Sequence, residues 1–96
     1  MYAISFDLDT LELAKHHPKS VKQGYRDIAN TLKRYEFEWT QGSLYTTQNE
    51  DMANVSDAID ALRTFSWFPY SVKDIRAFRV EMWSNFTPRA KRVLTN

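Results

Sequence analysis

Two aspartates, Asp7 and Asp9, stand two residues apart at the close of an alternating apolar run, and a third, Asp74, lies near the start of another run late in the chain. An ionised carboxylate in such a place has two chemical uses, beside a purely structural one such as pairing of Asp74 with Arg76 or Lys73. It binds a divalent cation, or it takes a proton from a hydroxyl and makes a nucleophile of it. His16 and His17 are the only side chains with an ordinary pKa near neutrality. They fall just before Pro18, at the start of a helix, where polar loop residues are ordinary, so they are poor candidates for catalysis. Ser43 follows Gly42, and its hydroxyl either closes that turn or is left to donate to a ligand. There is no cysteine. That removes thiolate nucleophiles, thiolate metal sites and disulfides, and it suits a reducing compartment.

The elements that must position these residues follow from periodicity. Tyr2, Ile4, Phe6 and Leu8 alternate with Ala3, Ser5 and Asp7, which predicts a strand. Asp7 then lies on the face opposite Ile4 and Phe6, where a charge is costly unless something uses it. Its alternative role is to cap the loop that follows. The polar stretch 10–19, with Pro18, reads as a connection. Val21, Tyr25, Ile28, Leu32 and Tyr35 recur at helical spacing and predict a long amphipathic helix. Residues 37–40 and 44–47 flank Gln41-Gly42, a hairpin turn in which glycine accepts positive φ cheaply. Asn49 is placed to cap a second helix, with Glu50 and Asp51 in its first turn and Met52, Val55, Ile59 and Leu62 buried. That helix ends near Trp67-Phe68-Pro69, and a last strand runs from Val72 to Trp83.

The order strand, helix, hairpin, helix, strand predicts a ferredoxin-like βαββαβ sandwich of α+β class, an antiparallel sheet with two helices on one face. The first and last strands are expected at the centre of that sheet, which would let Asp7 and Asp74 approach. The 96 residues suit one domain, 1–96, of which 43% is hydrophobic. A chain this short buries only about two-thirds of its unfolded surface. Basic residues outnumber acidic ones by four over residues 72–96, while acidic ones lead by three over residues 1–71. Lys73, Arg76 and Arg79 form part of this late basic stripe, which is either a phosphate-binding edge or a solvated one. With no basic leader, and no apolar run near the roughly 20 residues that span a bilayer, the chain is expected to be soluble and cytoplasmic, without a membrane partner.

In the last strand the apolar phase changes near Ala77, so that Phe78, Val80 and Met82 point away from the side of Ile75. Either a bulge or a strand continuing along a partner's sheet accounts for that. Trp83 and Phe86 lie beyond, with little of their own chain left to cover them. A homodimer that shares this C-terminal segment is therefore expected.

The opening Met1-Tyr-Ala-Ile-Ser-Phe-Asp-Leu-Asp9, the hairpin Phe37-Glu-Trp-Thr-Gln-Gly-Ser-Leu-Tyr45 and the run Trp67-Phe-Pro-Tyr-Ser-Val-Lys-Asp-Ile-Arg-Ala-Phe-Arg79 resemble the virulence-associated protein D family. The resemblance covers about residues 1–87, and the tail 88–96 matches no pattern of that family. It implies a dimeric ferredoxin-like fold related to the small CRISPR-associated endonuclease. The activity implied is that of an endoribonuclease, the toxin of a toxin–antitoxin pair with an antitoxin protein as partner. It assigns cleavage to positions that here are Asp7, Ser43 and Asp74, with Leu13 in support. Asp9 is near enough to share the role of Asp7. The chemistry on RNA stays open between Mg²⁺ held at Asp7 and a metal-free route in which a carboxylate deprotonates the 2′-hydroxyl while an arginine offsets phosphate charge. Trp39, Tyr45 and Tyr70 could stack unpaired bases, although strand aromatics are more often core. The competing reading is a non-catalytic dimeric adaptor for nucleic acid or protein.

Overall fold

A computed structural model describes residues 1–94. Tyr2–Leu8 form the expected strand, β1, with Ile4, Phe6 and Leu8 buried and Asp7 exposed on the other face. No loop follows it. Thr10–His16 is a helix, α1, where the polar composition suggested only a connection. The Asp9 carboxylate is the reason: it accepts from the backbone N–H of Leu11 at 3.0 Å and of Glu12 at 3.1 Å, satisfying two donors that a helix start leaves free. Leu13 is the one buried residue of α1. A helix with one buried side chain shows no apolar stripe.

Val21–Arg34 form α2, whose Ile28 and Leu32 are buried while Val21, Tyr25 and Tyr35 pack at the margin of the core. Gly24 lets α1 come close, since a Cβ there would lie 2.9 Å from Leu13 Cδ1. The hairpin pairs β2 (Glu38–Gln41) with β3 (Leu44–Thr47) around Gly42, whose φ is 48°. Helix α3 runs from Met52 to Arg63, and its cap is Asp51 rather than Asn49. Asn49 Oδ1 instead accepts from the Asp51 N–H at 2.9 Å, one step earlier. Met52 consequently opens the helix on an exposed turn, and Val55, Ala58 and Leu62 make its buried face. The short helix α4 (Phe68–Ser71) leads into β4 (Val72–Arg79), and a last turn of helix, α5, spans Thr87–Ala90.

The strands lie in the order β2-β3-β1-β4 with every neighbouring pair antiparallel, which is the ferredoxin-like arrangement. The expectation that the first and last strands hold the centre fails for the last. Each strand–helix–strand unit of this fold leaves a gap for one strand of the other unit, so β1 and β3 are internal and β4 is an edge. Asp7 and Asp74 are neighbours all the same, because β4 pairs with β1.

The register of that pair places Ile75 opposite Phe6 and Asp74 opposite Asp7, then shifts so that Val72 faces Leu8. Lys73 is the extra residue of a bulge, and Val72 and Ile75, three apart, both pack on the core. No irregularity occurs near Ala77, where the change of apolar phase suggested either a bulge or a strand continuing along a partner's sheet. Ala77 stays opposite Ile4, Phe78 stands opposite Ala3 on the open face, and the strand ends at Arg79, short of Trp83.

His17 closes the corner between α1 and α2. Its Nε2 lies 2.8 Å from Asp27 Oδ2, and its Nδ1 accepts from the backbone N–H groups of Lys19 at 3.0 Å and Ser20 at 3.3 Å. The ring leans on Trp67, with centroids 4.9 Å apart. Because Nδ1 accepts, Nε2 carries the proton donated to Asp27. Burial works against the Asp27 carboxylate, but hydrogen bonds from His17 and Gln23, aided by the charge of Lys19, hold its pKa below the ordinary 3.8. A depressed pKa adds stability that is present above that value and is lost as pH falls through the lower folded one. Asp27→Asn should therefore lower the unfolding free energy by about 1 kcal/mol at neutral pH. The gap should close as pH is lowered towards 2. Urea unfolding across that range measures it, and a gap independent of pH would exclude a role for the charge.

Candidate active site

Three adjacent strands bring the expected residues to one end of the sheet. Asp7 ends the open face of β1, and Asp74 faces it across the ladder from β4. On the other side the hairpin tip closes in, where the Ser43 carbonyl accepts from the Phe6 N–H at 3.2 Å. Asp7 and Asp74 thus lie side by side on the open face. The backbone of Ser43, continuing the register of Leu44 opposite Ser5, meets Phe6 at the same end of the sheet, where alternation gives its side chain the other face. Like charges directly opposite one another in an antiparallel pair are destabilising. Arg76, two residues along on the same face, offsets one of them. Its Nε donates to both Asp74 oxygens, at 3.2 and 3.0 Å, and Asp74 in turn raises the guanidinium pKa. Asp7 is exposed and has no hydrogen-bonded or ion-paired partner among the described residues.

The other expected residues separate from this group. Asp9 caps α1 through one carboxylate oxygen, Oδ1, and so is engaged at the helix start rather than grouped with Asp7. Leu13 is fully buried and carries no polar group; its part is to seat α1 against Gly24 of α2. Lys73 projects at the bulge beside Asp74, but Arg79 pairs with Tyr2 at the far end of β1. Five residues of strand, about 17 Å, separate Arg79 from Asp74. A hydrogen bond from the N-terminal ammonium, together with the charge of Arg79, lowers the pKa of Glu50 there. Strand alternation also turns Arg76 and Arg79 to opposite faces, so the three cations do not make one stripe.

Of the histidines, His17 is buried with both ring nitrogens bonded, and His16 stacks on Tyr70 with its Nε2 3.3 Å from Glu12. Tyr45 is a core residue, 7% exposed, and burial raises its phenol pKa. Trp39 is exposed, but it pairs with Tyr45, which pairs with Ile4, so it lies on the helix-covered side. No cluster of three or more His, Cys, Asp or Glu suited to a metal occurs among the described residues. Asp7, with Asp74 alongside, fits the partial donor set that Mg²⁺ accepts when phosphate oxygens and waters complete its shell.

The profile of the family described as CRISPR associated protein Cas2 matches residues 1–87. The chain belongs to that family. The chain is 57% identical over 91 residues to "Endoribonuclease VapD homolog" of Neisseria gonorrhoeae, covering 95% of this chain and 99% of the relative. It is 52% identical over 87 residues to "Endoribonuclease VapD" of Haemophilus influenzae, covering 91% and 94%. The protein of the same name from Dichelobacter nodosus is 48% identical over 91 residues, covering 95% and 98%. The resemblance read from the three sequence runs therefore holds, and this Cas2-family chain has VapD relatives along nearly its whole length.

Two features of this Cas2-family site escaped sequence reading, the Asp9 cap and the bulge at Lys73. The cap had a signal, since Asp9 is followed at the third position by Glu12 and then by Leu13. If Asp9 serves the helix, Asp9→Ala should cost about 1 kcal/mol of stability, and Asp9→Asn, which keeps the acceptor oxygen, should cost much less. Thermal unfolding of the two variants decides this; equal losses would point away from capping.

Proposed function

We propose that the chain is an endoribonuclease in which Asp7 acts on the RNA directly. The observation that carries this reading is the unpartnered Asp7 carboxylate facing Asp74 and Arg76 at the open end of the sheet. The names of the VapD relatives agree with it. Asp7 takes the proton of a 2′-hydroxyl, and the resulting oxygen attacks the adjacent phosphorus. The bond from phosphorus to the 5′-oxygen breaks, leaving a 2′,3′-cyclic phosphate and a 5′-hydroxyl protonated by solvent. Arg76 offsets charge on the phosphoryl oxygens. For Ser43 the support is the family resemblance, since its backbone meets Phe6 and its side chain alternates to the face opposite Asp7. Where Mg²⁺ takes part, Asp7 with Asp74 would hold it, and it would supply Lewis-acid stabilisation of that same charge.

The test is a defined RNA incubated with pure protein and with Asp7→Asn, with and without EDTA. The substitution should lower the cleavage rate by a factor of about 100 or more while RNA binding persists. Loss on EDTA assigns the metal route, and retention assigns the 2′-hydroxyl route. Equal cleavage by the variant overturns the role of Asp7. Binding by both proteins without any cleavage favours the adaptor.

The same proposal includes a homodimer. Its support is the apolar series Phe78, Met82, Trp83 and Phe86, each at least 44% exposed. A radius of gyration of 15.8 Å points the same way, since a compact chain of this length has about 12 Å. Light scattering should give twice the chain mass at micromolar concentration; a folded monomer at every concentration would exclude pairing. The VapD resemblance further supports a toxin role with an antitoxin protein as partner. Induced expression should then arrest growth, and Asp7→Asn should not.

A further inference from the structure

We propose that Tyr70, with His16 stacked behind it, is a platform for one unpaired base of RNA bound at the Asp7 end of the sheet. This deepens the endoribonuclease reading and rests on it for the ligand. Tyr70 belongs to α4, whose neighbouring residues hold it firmly. Phe68 and Ser71 are buried, Ser71 Oγ donates to the Trp67 carbonyl at 2.7 Å, and the Ser71 carbonyl accepts from the Asp9 N–H at 2.7 Å. Tyr70 as a residue nevertheless stands 64% exposed. Its centroid is 4.4 Å from that of His16, with the two planes 14° apart. His16 is steadied by Glu12, so the stack is built from both sides.

An exposed aromatic ring fixed in this way has little ordering entropy left to lose when a flat ligand meets it. Every base presents a π-face, and single-stranded nucleic acids are commonly held by such rings. The chain places Tyr70 at the end of the sheet that carries Asp7. Tyr70 lies two residues before Val72, which pairs with Leu8 beside Asp7, and Lys73 follows directly. Of the other aromatics weighed for this task, Tyr45 is in the core, and Trp39 lies on the edge strand β2, two strands from β1, with its Nε1 donating to the Gly42 carbonyl. Because the histidine already faces a carboxylate, the platform holds a base and not a phosphate.

The experiment measures binding of a short oligoadenylate, and of an abasic ribose-phosphate oligomer of equal length, to chains carrying Asp7→Asn so that the RNA stays intact. Tyr70→Leu should weaken oligoadenylate binding about tenfold. Tyr70→Phe should keep it, and the salt dependence should not change, since no phosphate contact is lost. The abasic oligomer should bind Tyr70→Leu and its parent alike. Unchanged affinity for oligoadenylate overturns the platform, as does an equal loss on the abasic oligomer or failure of Tyr70→Phe to retain binding. The two proposals fail separately. If affinity depends on Tyr70 but the unsubstituted chain cleaves no RNA, the platform stands without the nuclease. If cleavage depends on Asp7 but affinity ignores Tyr70, the nuclease stands without the platform.

Discussion

Leu8 must face the core at the last position of β1, and the partner it finds on β4 decides where the charges at that end go. Were β4 regular through Ile75, Lys73 would stand opposite Leu8 and point inward. Were it regular from Val72, Asp74 would lie opposite Phe6 in the core and Ile75 would turn to solvent. One extra residue resolves both conflicts: Val72 and Ile75 go in, and Lys73, Asp74 and Arg76 stay out. The like-charged pair across the ladder is thus a by-product of satisfying the core. Burying an unpaired charge costs more than tolerating two exposed carboxylates beside a guanidinium.

The same end of the sheet is tied down by short polar links rather than by apolar area. Asp9 caps α1 and bonds through its backbone to Ser71, while His17 joins α1 to α2 and leans on Trp67. These links fix the two strands that carry the carboxylates without covering them. Leu13 and Gly24 add a close apolar contact between α1 and α2. A buried Leu13 close to the Asp7 end of the sheet is therefore explained by packing alone.

Much of this was legible in the sequence wherever a single element buries a whole face. The alternation of β1 and the stripe of α2 are long and regular, and Gly42 marks the hairpin. Asp7 could be assigned to the open face from alternation alone. α1 escaped because its stability comes from a cap and from one side chain, Leu13, so periodicity had nothing to detect. The place of the bulge escaped because it depends on which residue of β1 each residue of β4 meets. The pairing of His17 with Asp27 joins two elements across a turn, a relation that local polarity does not encode.

The two outer edges of the sheet are protected by different means. β2 has only four residues and a register irregularity before Gln41, so it offers little ladder to an incoming strand. β4 has eight residues and is regular from Asp74 to Arg79, but Lys73, Asp74, Arg76 and Arg79 make half of it charged. An arriving apolar strand would gain hydrogen bonds along β4 only by stripping water from those ions, whereas a strand with the opposite alternation of charge would replace that water. The charges spread along β4, from Lys73 and Asp74 at one end to Arg79 at the other, thereby also guard the long edge of the sheet against indiscriminate aggregation.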